Sequence, residues 1–457
     1  MIETNLNESY NEVNEKDSIV NESAEFDITV KEVKDKPKRL VYIDYIRSIG
    51  ILMIIFIHGI VYSYGLFDTL DLENLNPFFM IIYVVLNWAG LFAVISALVN
   101  TYSSYNRLKN TEEHEFARSA WRIFGKRWLF LGFFFLCLNF LYSFLISPFF
   151  YDFGTKTTYH SFLPGIIRTG GYYQVAPEKI LTGSTFAMLG WNLIILGLVF
   201  TLLFRKKANF NKKWKRIFIL ILGIVIILIS FCRIWFFDDF ENAIQNGKYG
   251  LAYLIDMISG SYFPLLPYLG YGLIGSYLGL VLADNPTKKT LRRQIWIGVG
   301  FFVGSVIAFL IPDAAYAQIG LLDDIFLSYI TNLFEISFYI IIGVIIILIS
   351  NRRKNIEPEA EVKESKGISR IILNFSKNSL TFFLLERIIA ELFGLLMETI
   401  LPDWNNYIWS CLLFGGFLVL FWIGISILWS LANFKFSFEW WLVKFFQKIK
   451  YKSNKSY

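Results

Sequence analysis

The chain alternates between long apolar segments and short polar segments from residue 40 onward. Ten apolar segments have the length of about 20 residues that a helix needs to cross a lipid bilayer. Apolar and polar residues do not alternate within them, which argues against the strands of a membrane β-barrel. The pattern therefore predicts an all-α, polytopic membrane helix bundle of about ten transmembrane helices. The ten segments lie near residues 40–65, 77–102, 123–146, 180–204, 217–237, 262–283, 295–311, 329–350, 379–401 and 407–432.

Lysine and arginine are unevenly distributed among the gaps between these segments. The residues before the first segment and every second gap after it are basic, as at 205–207 and 352–354, whereas the other gaps hold acids such as Asp238 and Asp239. Short cytoplasmic loops of membrane proteins carry an excess of Lys and Arg. We therefore expect both termini to be cytoplasmic and the protein to reside in the cell membrane.

The two ends of the chain differ from its middle. Residues 1–38 are rich in Asn, Glu and Asp and lack apolar periodicity, which predicts a disordered cytoplasmic tail without a cleavable signal peptide. Residues 39–433 are expected to form the transmembrane domain. Residues 434–457 mix Trp and Phe with lysines, a pattern typical of a basic, aromatic segment at the inner membrane interface.

The composition excludes several classes of protein. Hydrophobic residues make up 55% of the chain and charged residues 18%, against about 25% charged in soluble domains. A water-soluble enzyme is therefore excluded. The net charge of +6 is carried by short clusters between apolar segments, so no nucleic-acid partner is expected. The three cysteines lie inside apolar segments without paired spacing, so neither a disulfide framework nor a metal site is predicted.

The first apolar segment carries three ionisable side chains, which are costly inside a membrane and mark functional sites unless they reach the interface. His58 follows Arg47 by eleven residues, which returns to nearly the same helix face about 16 Å further along. Asp44 precedes Arg47 by three residues and is expected to pair with it. We interpret His58 as a general base. The alternatives are a hydrogen-bonded structural histidine and an Asp44–Arg47 pair that only locks helices together.

The ninth segment contains Glu386, Arg387, Glu391 and Glu398. Arg387 and Glu391 are four residues apart, so they predict a structural ion pair within one helix. Glu386 is one position earlier and therefore points in another direction, where we expect it to line a cavity.

Two further features lie between the apolar segments. Arg118, Arg122, Lys126 and Arg127 precede the third segment at spacings of four, four and one. Such a stripe suits a ligand with phosphate groups arriving from the cytoplasm, although ordinary positive charge on an inner loop is an equal alternative. The outer loop 147–179 is long enough to be a roof or an acceptor surface, or it is only a connection.

The first segment also resembles a known family. It reads Tyr-Ile-Asp-Tyr-Ile-Arg-Ser from residue 42 and reaches a histidine at 58. This resembles the first helix of the transmembrane acyltransferase superfamily, which includes the acyltransferase-3 family and the heparan-alpha-glucosaminide N-acetyltransferase family. That helix carries an Asp, an Arg three residues on, and an Arg-x10-His run. Asp44, Arg47 and His58 match these positions.

Weaker likenesses extend through most of the chain. Residues 92–96 resemble a Phe-x-x-x-Ser-Gly stretch, with Ala97 in place of the glycine. Residues 262–275 resemble a Phe-Pro-x-x-Pro-Trp-x-Gly run, and residues 377–380 are similar to a Gly-x-x-Ser-Leu stretch. The chain departs from the family where Ser48 replaces a frequent glycine and where Glu386 aligns with a frequent histidine.

The resemblance implies an integral membrane acyltransferase that moves an acyl group, usually acetyl, from cytoplasmic acyl-CoA to an extracytoplasmic acceptor. The acceptor would be a sugar hydroxyl or amine on a glycan or a lipid-linked precursor. Acyl-CoA would be a donor substrate rather than a tightly bound cofactor, and a homo-oligomer is left open. The implied roles are catalysis by His58, Arg47 and Asp44, donor binding by Arg122, Lys126, Arg127, Asn378 and Ser379, and acceptor binding by Glu386 and Ser96.

Two other functions remain open from the sequence. A transporter or flippase for a small molecule or lipid-linked sugar would use the polar stripe as a permeation path, and the Gly- and Pro-rich residues 259–279 would supply the broken helix expected of it. A non-catalytic membrane scaffold is the second alternative.

Overall fold

The structure, a computed structural model, describes residues 41–63, 89–147, 150–152, 157–181, 183–260, 263–284, 286–310, 324–356 and 367–444. The predicted tail 1–38 and the end of the predicted interfacial segment, 445–457, lie outside these residues. The described part of the chain is almost entirely helical, and residues 438–444 are helical as well.

The α-helices follow one another along the chain and differ widely in length. In order they are α1 (Val41–Val61), α2 (Ala89–Lys109), α3 (Phe116–Ala120), α4 (Arg127–Leu145), α5 (Phe162–Thr169), α6 (Pro177–Leu181), α7 (Thr185–Leu203), α8 (Lys213–Ile229), α9 (Phe237–Gln245), α10 (Tyr249–Ser259), α11 (Leu265–Ala283), α12 (Lys288–Leu310), α13 (Asp324–Ile356), α14 (Ile368–Lys377), α15 (Ser379–Ile400) and α16 (Ile408–Leu431).

Short elements connect these helices. A π-helical turn, Trp121–Lys126, joins α3 to α4, and 3₁₀ turns lie at Lys207–Asn209, Ser230–Trp235 and Trp404–Asn406. The loop between α4 and α5 contains an antiparallel hairpin of β1 (Phe150–Asp152) and β2 (Thr157–Tyr159), with Phe150 opposite Tyr159. The all-α prediction did not include this hairpin, because it lies within a loop whose apolar pattern is too short to indicate strands.

The protein is a multi-pass membrane protein. Six helical stretches in the described part of the chain are long and apolar enough to cross a bilayer, judged by length and composition. They are Val41–Val61, Phe116–Leu145, Thr185–Leu203, Lys213–Arg233, Leu265–Ala283 and Ile408–Leu431. Each of the ten predicted segments overlaps a helix of at least 17 residues, but the count of ten spans and the cytoplasmic position of the termini stay predictions.

Helix α11 lies at the centre of the larger group of packed helices. It contacts α2, α7, α8 and α13, and nearly all of its residues from Gly270 onward are buried. Its glycines allow these contacts, because a Cβ on Gly275 would lie 2.2 Å from the Val94 carbonyl oxygen and one on Gly279 would lie 2.5 Å from that of Leu98. Small residues four apart bring helix backbones together in membranes, where packing is the main attraction between helices.

Helix α1 belongs to a second group of packed helices, formed with α14, α15 and α16. Ile51 and Ile55 of α1 share a buried apolar cluster with Phe382 and Trp422. Helix α1, the first helix in the described part of the chain, is therefore held against α14, α15 and α16.

We expect a side chain at Gly275 to destabilise the fold. Gly275→Ala would force α2 and α11 apart, at a cost of roughly 1–3 kcal/mol for an overpacked core. Gly300→Ala is the matched control, because a Cβ at Gly300 of α12 meets nothing within 4 Å. Thermal unfolding of the detergent-purified proteins should give a lower midpoint for Gly275→Ala only. Equal midpoints for the two variants would contradict this account of the α2–α11 contact.

Candidate active site

The beginning of α1 is joined to the end of α14 by a polar network. The predicted pair is present, with Nη1 of Arg47 3.9 Å from Oδ1 of Asp44. Ser376 Oγ donates to the same Asp44 oxygen at 2.9 Å. Ser48 Oγ donates to the Asp44 carbonyl at 2.8 Å and accepts from the Ser376 backbone N–H at 3.0 Å. Ser48, at a position where the resemblance suggested glycine, therefore fastens α1 to α14.

His58 lies near the other end of α1 and contacts α15. Its Nδ1 is 2.6 Å from Oε1 of Glu386. The Glu386 side chain is 2% exposed, and that of His58 is 17% exposed. The Glu386 carboxylate binds the imidazole, and its expected place in the lining of a cavity stays a prediction. We call His58 and Glu386 the dyad. The arrangement matches a general base whose second ring nitrogen is held by a carboxylate.

Arg387 and Glu391 form the ion pair that their spacing predicts, and a third residue joins them. Both side chains are buried, and Arg387 Nη2 donates to Glu391 Oε1. Arg168 of α5 donates from Nε to Glu391 Oε2 at 2.9 Å. The Arg387 guanidinium lies over the Tyr62 ring at 5.1 Å, and the Tyr62 ring is 4.8 Å from that of His58. A network of paired charges therefore begins beside the dyad and connects α15 to α5.

Other predicted binding residues lie on other helices. Arg122 and Lys126 are exposed on the π-helical turn, and Arg127 is exposed at the start of α4. This stretch packs on α7, whereas the dyad joins α1 to α15. Ser96 lies on α2, where it accepts a hydrogen bond from Asn100 at 3.4 Å. Binding of the donor or acceptor by these residues stays a prediction.

Asn378 and Ser379 lie at the junction of α14 and α15, where the C-terminal segment supplies an unexpected contact. The buried Asn378 side chain donates to the Asn374 carbonyl at 3.2 Å. In the first turn of α15, the backbone N–H groups of Leu380 and Thr381 donate to Oε1 of Glu439 at 2.7 and 3.2 Å. The N-terminus of α15 therefore already holds a carboxylate of the protein itself, which a negatively charged donor would have to displace.

Sequence reasoning missed Ser376, Arg168 and Glu439 as parts of this region. Each is more than 50 residues from its partner along the chain. Glu439 gave one signal, because it is the only acid between residues 434 and 457. An isolated acid in a basic, aromatic segment suggests a specific partner, but the sequence does not say which.

Cationic groups of the loop 157–181 lie close to this network and affect one another. Burial, together with the charge of Arg387, lowers the pKa of Lys179 from 10.5 to about 7. Burial and the neighbouring charges of Arg168, Arg387 and Lys179 lower the pKa of His160 from 6.5 to about 4. His160 is therefore neutral at pH 7. Removing such groups from water disfavours their charged forms.

Comparison with known proteins identifies the family of the chain. Residues 40–429 match the family model of the acyltransferase domain named Acyl_transf_3, which covers most of the chain. The chain belongs to the acyltransferase-3 family. The matched residues include the first helix with Asp44, Arg47 and His58, and the family resemblance noted in the sequence is confirmed. No curated protein and no solved structure matches the chain significantly.

Membership of the acyltransferase-3 family makes the protein a membrane acyltransferase. The domain match includes Glu386, so both members of the dyad lie within the acyltransferase domain. The identity of the acyl donor, the acceptor and the role of each side chain are matters of proposal.

The lowered pKa of Lys179 predicts a pH-dependent stability. The unfolded lysine keeps its proton up to about pH 10.5, whereas the folded lysine loses it near pH 7. Between these values the unfolded state binds more protons, so the contribution of Lys179 to stability becomes more favourable as pH rises. The difference between the thermal midpoint of the wild type and that of Lys179→Met should therefore shift in favour of the wild type as pH rises from 7 to 9.5. The control is Lys248→Met, because Lys248 is exposed and its variant should show the same pH dependence as the wild type. If the midpoint of Lys179→Met varied with pH in parallel with that of the wild type, the lowered pKa of Lys179 would be contradicted.

Proposed function

We propose that this acyltransferase transfers an acyl group, most simply acetyl, from cytoplasmic acyl-CoA to an acceptor on the other side of the cell membrane. The acceptor supplies a hydroxyl or an amine and is a glycan or a lipid-linked sugar. His58 takes the acceptor proton, and Glu386 positions the imidazole. The observation that carries this proposal is the distance of 2.6 Å between His58 Nδ1 and the buried Glu386 carboxylate.

The dyad suits acid–base chemistry because the two ring nitrogens of His58 have different roles: Nδ1 binds Glu386 and Nε2 can bind the substrate. When Nδ1 carries the proton and donates to Glu386, Nε2 has a free electron pair for the acceptor proton. The partial exposure of His58 leaves the ring open to a substrate, whereas Glu386 is enclosed. A carboxylate in this position holds the tautomer and stabilises the imidazolium that forms during transfer.

The transfer step balances with these groups alone. As the acceptor oxygen or nitrogen attacks the thioester carbonyl, its proton passes to Nε2 of His58. The carbon–sulfur bond then breaks, the acyl group stays on the acceptor, and the imidazolium returns the proton to the leaving thiolate of CoA. If His58 carries the acyl group itself, Nε2 attacks the thioester carbonyl, the carbon–sulfur bond breaks and the CoA thiolate leaves. The acceptor then attacks the acyl group and displaces the imidazole, and the acceptor proton goes to the CoA thiolate. Both routes require Glu386 to hold Nδ1.

Arg47 and Asp44 lie at the opposite end of α1 from His58, about 16 Å away along the helix. With both termini in the cytoplasm, this end faces the cytosol. Arg47 is 27% exposed and is paired with an Asp44 that is also held by Ser376. We assign to Arg47 a contact with the donor as it enters, and to the basic residues Arg122, Lys126 and Arg127 a contact with its phosphates.

Removal of the dyad tests this function. His58→Ala should lower acyl transfer from acetyl-CoA by about 10²–10⁴-fold, the usual contribution of a general base. Glu386→Gln keeps the size of the side chain but loses its charge, so a smaller loss with an altered pH profile is expected. The assay measures release of CoA thiol and labelled acetyl groups on a panel of sugars, with purified protein in lipid nanodiscs.

The chain contains a matched control for these variants. His114 and Glu112 also form a His–Glu pair, at 3.4 Å, but both side chains are more than 70% exposed. His114→Ala and Glu112→Gln should leave transfer unchanged. Full activity of His58→Ala would reject the role of the dyad, and transfer from another acyl donor but not from acyl-CoA would reject the donor.

A further inference from the structure

A pocket opens near the dyad, on a face of α15 turned by about 100° from the one that carries Glu386. Arg387, Glu391, Gly394 and Glu398 of α15 line the pocket. Their spacings of four, three and four residues place them on one face of the helix. Glu386, one residue before this series, is turned by about 100° toward α1. One helix therefore presents the dyad carboxylate to one side and the pocket to another.

Side-chain contacts connect the pocket to the dyad. Ser63, which directly follows the end of α1, lines it. So does Arg387, whose guanidinium is over the Tyr62 ring, and that ring is in contact with the ring of His58. The Tyr62 ring thus contacts both the imidazole and Arg387, which is part of the wall of the pocket.

The charges around the pocket balance. Arg168 and Arg387 are both bound to Glu391, which is 3% exposed. Glu398 supplies the second negative charge. Burial lowers the pKa of Arg168, and the charge of Glu398 opposes this effect. Two guanidinium groups therefore face two carboxylates. An anionic ligand would have to compete with Glu391 for the arginines and would meet Glu398, which costs free energy.

An uncharged ligand with many hydroxyl groups meets no such obstacle. The carboxylate of Glu398, the amide of Asn405 and the hydroxyl of Ser63 line the pocket together with the two guanidinium groups. These groups accept and donate hydrogen bonds without requiring charge on the ligand. A polyol needs both kinds of partner, because every hydroxyl both donates and accepts.

We propose that this pocket is the acceptor site and that it binds an uncharged, hydroxyl-rich ring such as a neutral sugar residue. Gly394 sets the space that is available to this ring. The proposal rests on the acyl transfer assigned to the dyad above, and it adds where the acceptor binds and which acceptors are rejected. Sugars with a carboxylate or a phosphate are poor ligands for this site.

Gly394 offers a direct test because it lines the pocket and the space for a Cβ at this position is open. A Cβ built at Gly394 meets nothing within 4 Å. The same holds for Gly424 of α16, which does not line the pocket and is the matched control. Gly394→Leu should raise the acceptor KM at least 10-fold for a neutral sugar, whereas Gly424→Leu should not change it.

A labelling experiment tests the pocket without relying on catalysis. In Gly394→Cys, a water-soluble maleimide should label residue 394, with the site identified by peptide mass spectrometry and Lys248→Cys, at an exposed position outside the apolar segments, as the reference variant. Methyl glucoside or methyl N-acetylglucosaminide at millimolar concentration should slow labelling at least 3-fold. Methyl glucuronide and glucose 6-phosphate should not.

The outcomes separate this proposal from the one on which it rests. Unchanged labelling with every sugar overturns the acceptor site even if His58→Ala abolishes transfer. Protection by the glucuronide but not by the neutral glycosides overturns the charge argument. Protection by neutral sugars in a protein whose transfer does not depend on His58 supports the pocket and rejects the dyad mechanism.

Discussion

The contact between His58 and Glu386 is the interaction on which the rest of the site depends. A carboxylate that is 2% exposed among apolar helices is costly unless a partner satisfies it. Here the partner is an imidazole on the first helix, 328 residues away along the chain. The contact forms only if α1 and α15 stay within hydrogen-bond distance. The packing of α1 against α14, α15 and α16 is therefore a requirement of the site as well as a feature of the fold.

Several polar contacts hold these helices in register. Ser48 and Ser376 join the beginning of α1 to the last turn of α14. Glu439 binds the backbone N–H groups of Leu380 and Thr381 at the start of α15. A carboxylate at a helix N-terminus satisfies donors that the helix itself cannot, and it interacts favourably with the helix dipole. The helix that carries Glu386 is thus fixed at its N-terminus by the segment that follows the last long helix.

The sequence predicted those parts of the structure that depend on local spacing. Apolar segments indicated the long helices, the three-residue spacing of Asp44 and Arg47 indicated their pair, and the four-residue spacing of Arg387 and Glu391 indicated theirs. It did not predict that Glu386 binds His58, because a contact between distant helices depends on which faces meet after packing. The difference is visible on α15, where the spacing predicted the partner of Arg387, whereas nothing in the sequence pointed to His58 as the partner of Glu386.

The arrangement of charges favours a fixed reaction site over a permeation path. A transporter of the kind weighed from the sequence would use a helix interrupted near the middle of the membrane. In α11 the non-helical residue is Leu266, the second residue of the helix, and the helix continues without interruption from Pro267 to Ala283. Near the dyad Glu391 is held by two arginines, and at the other end of α1 Asp44 is held by Arg47 and Ser376. Charges bound to one another do not change partners readily as a solute passes, whereas catalysis benefits from groups that are already oriented before the substrate arrives.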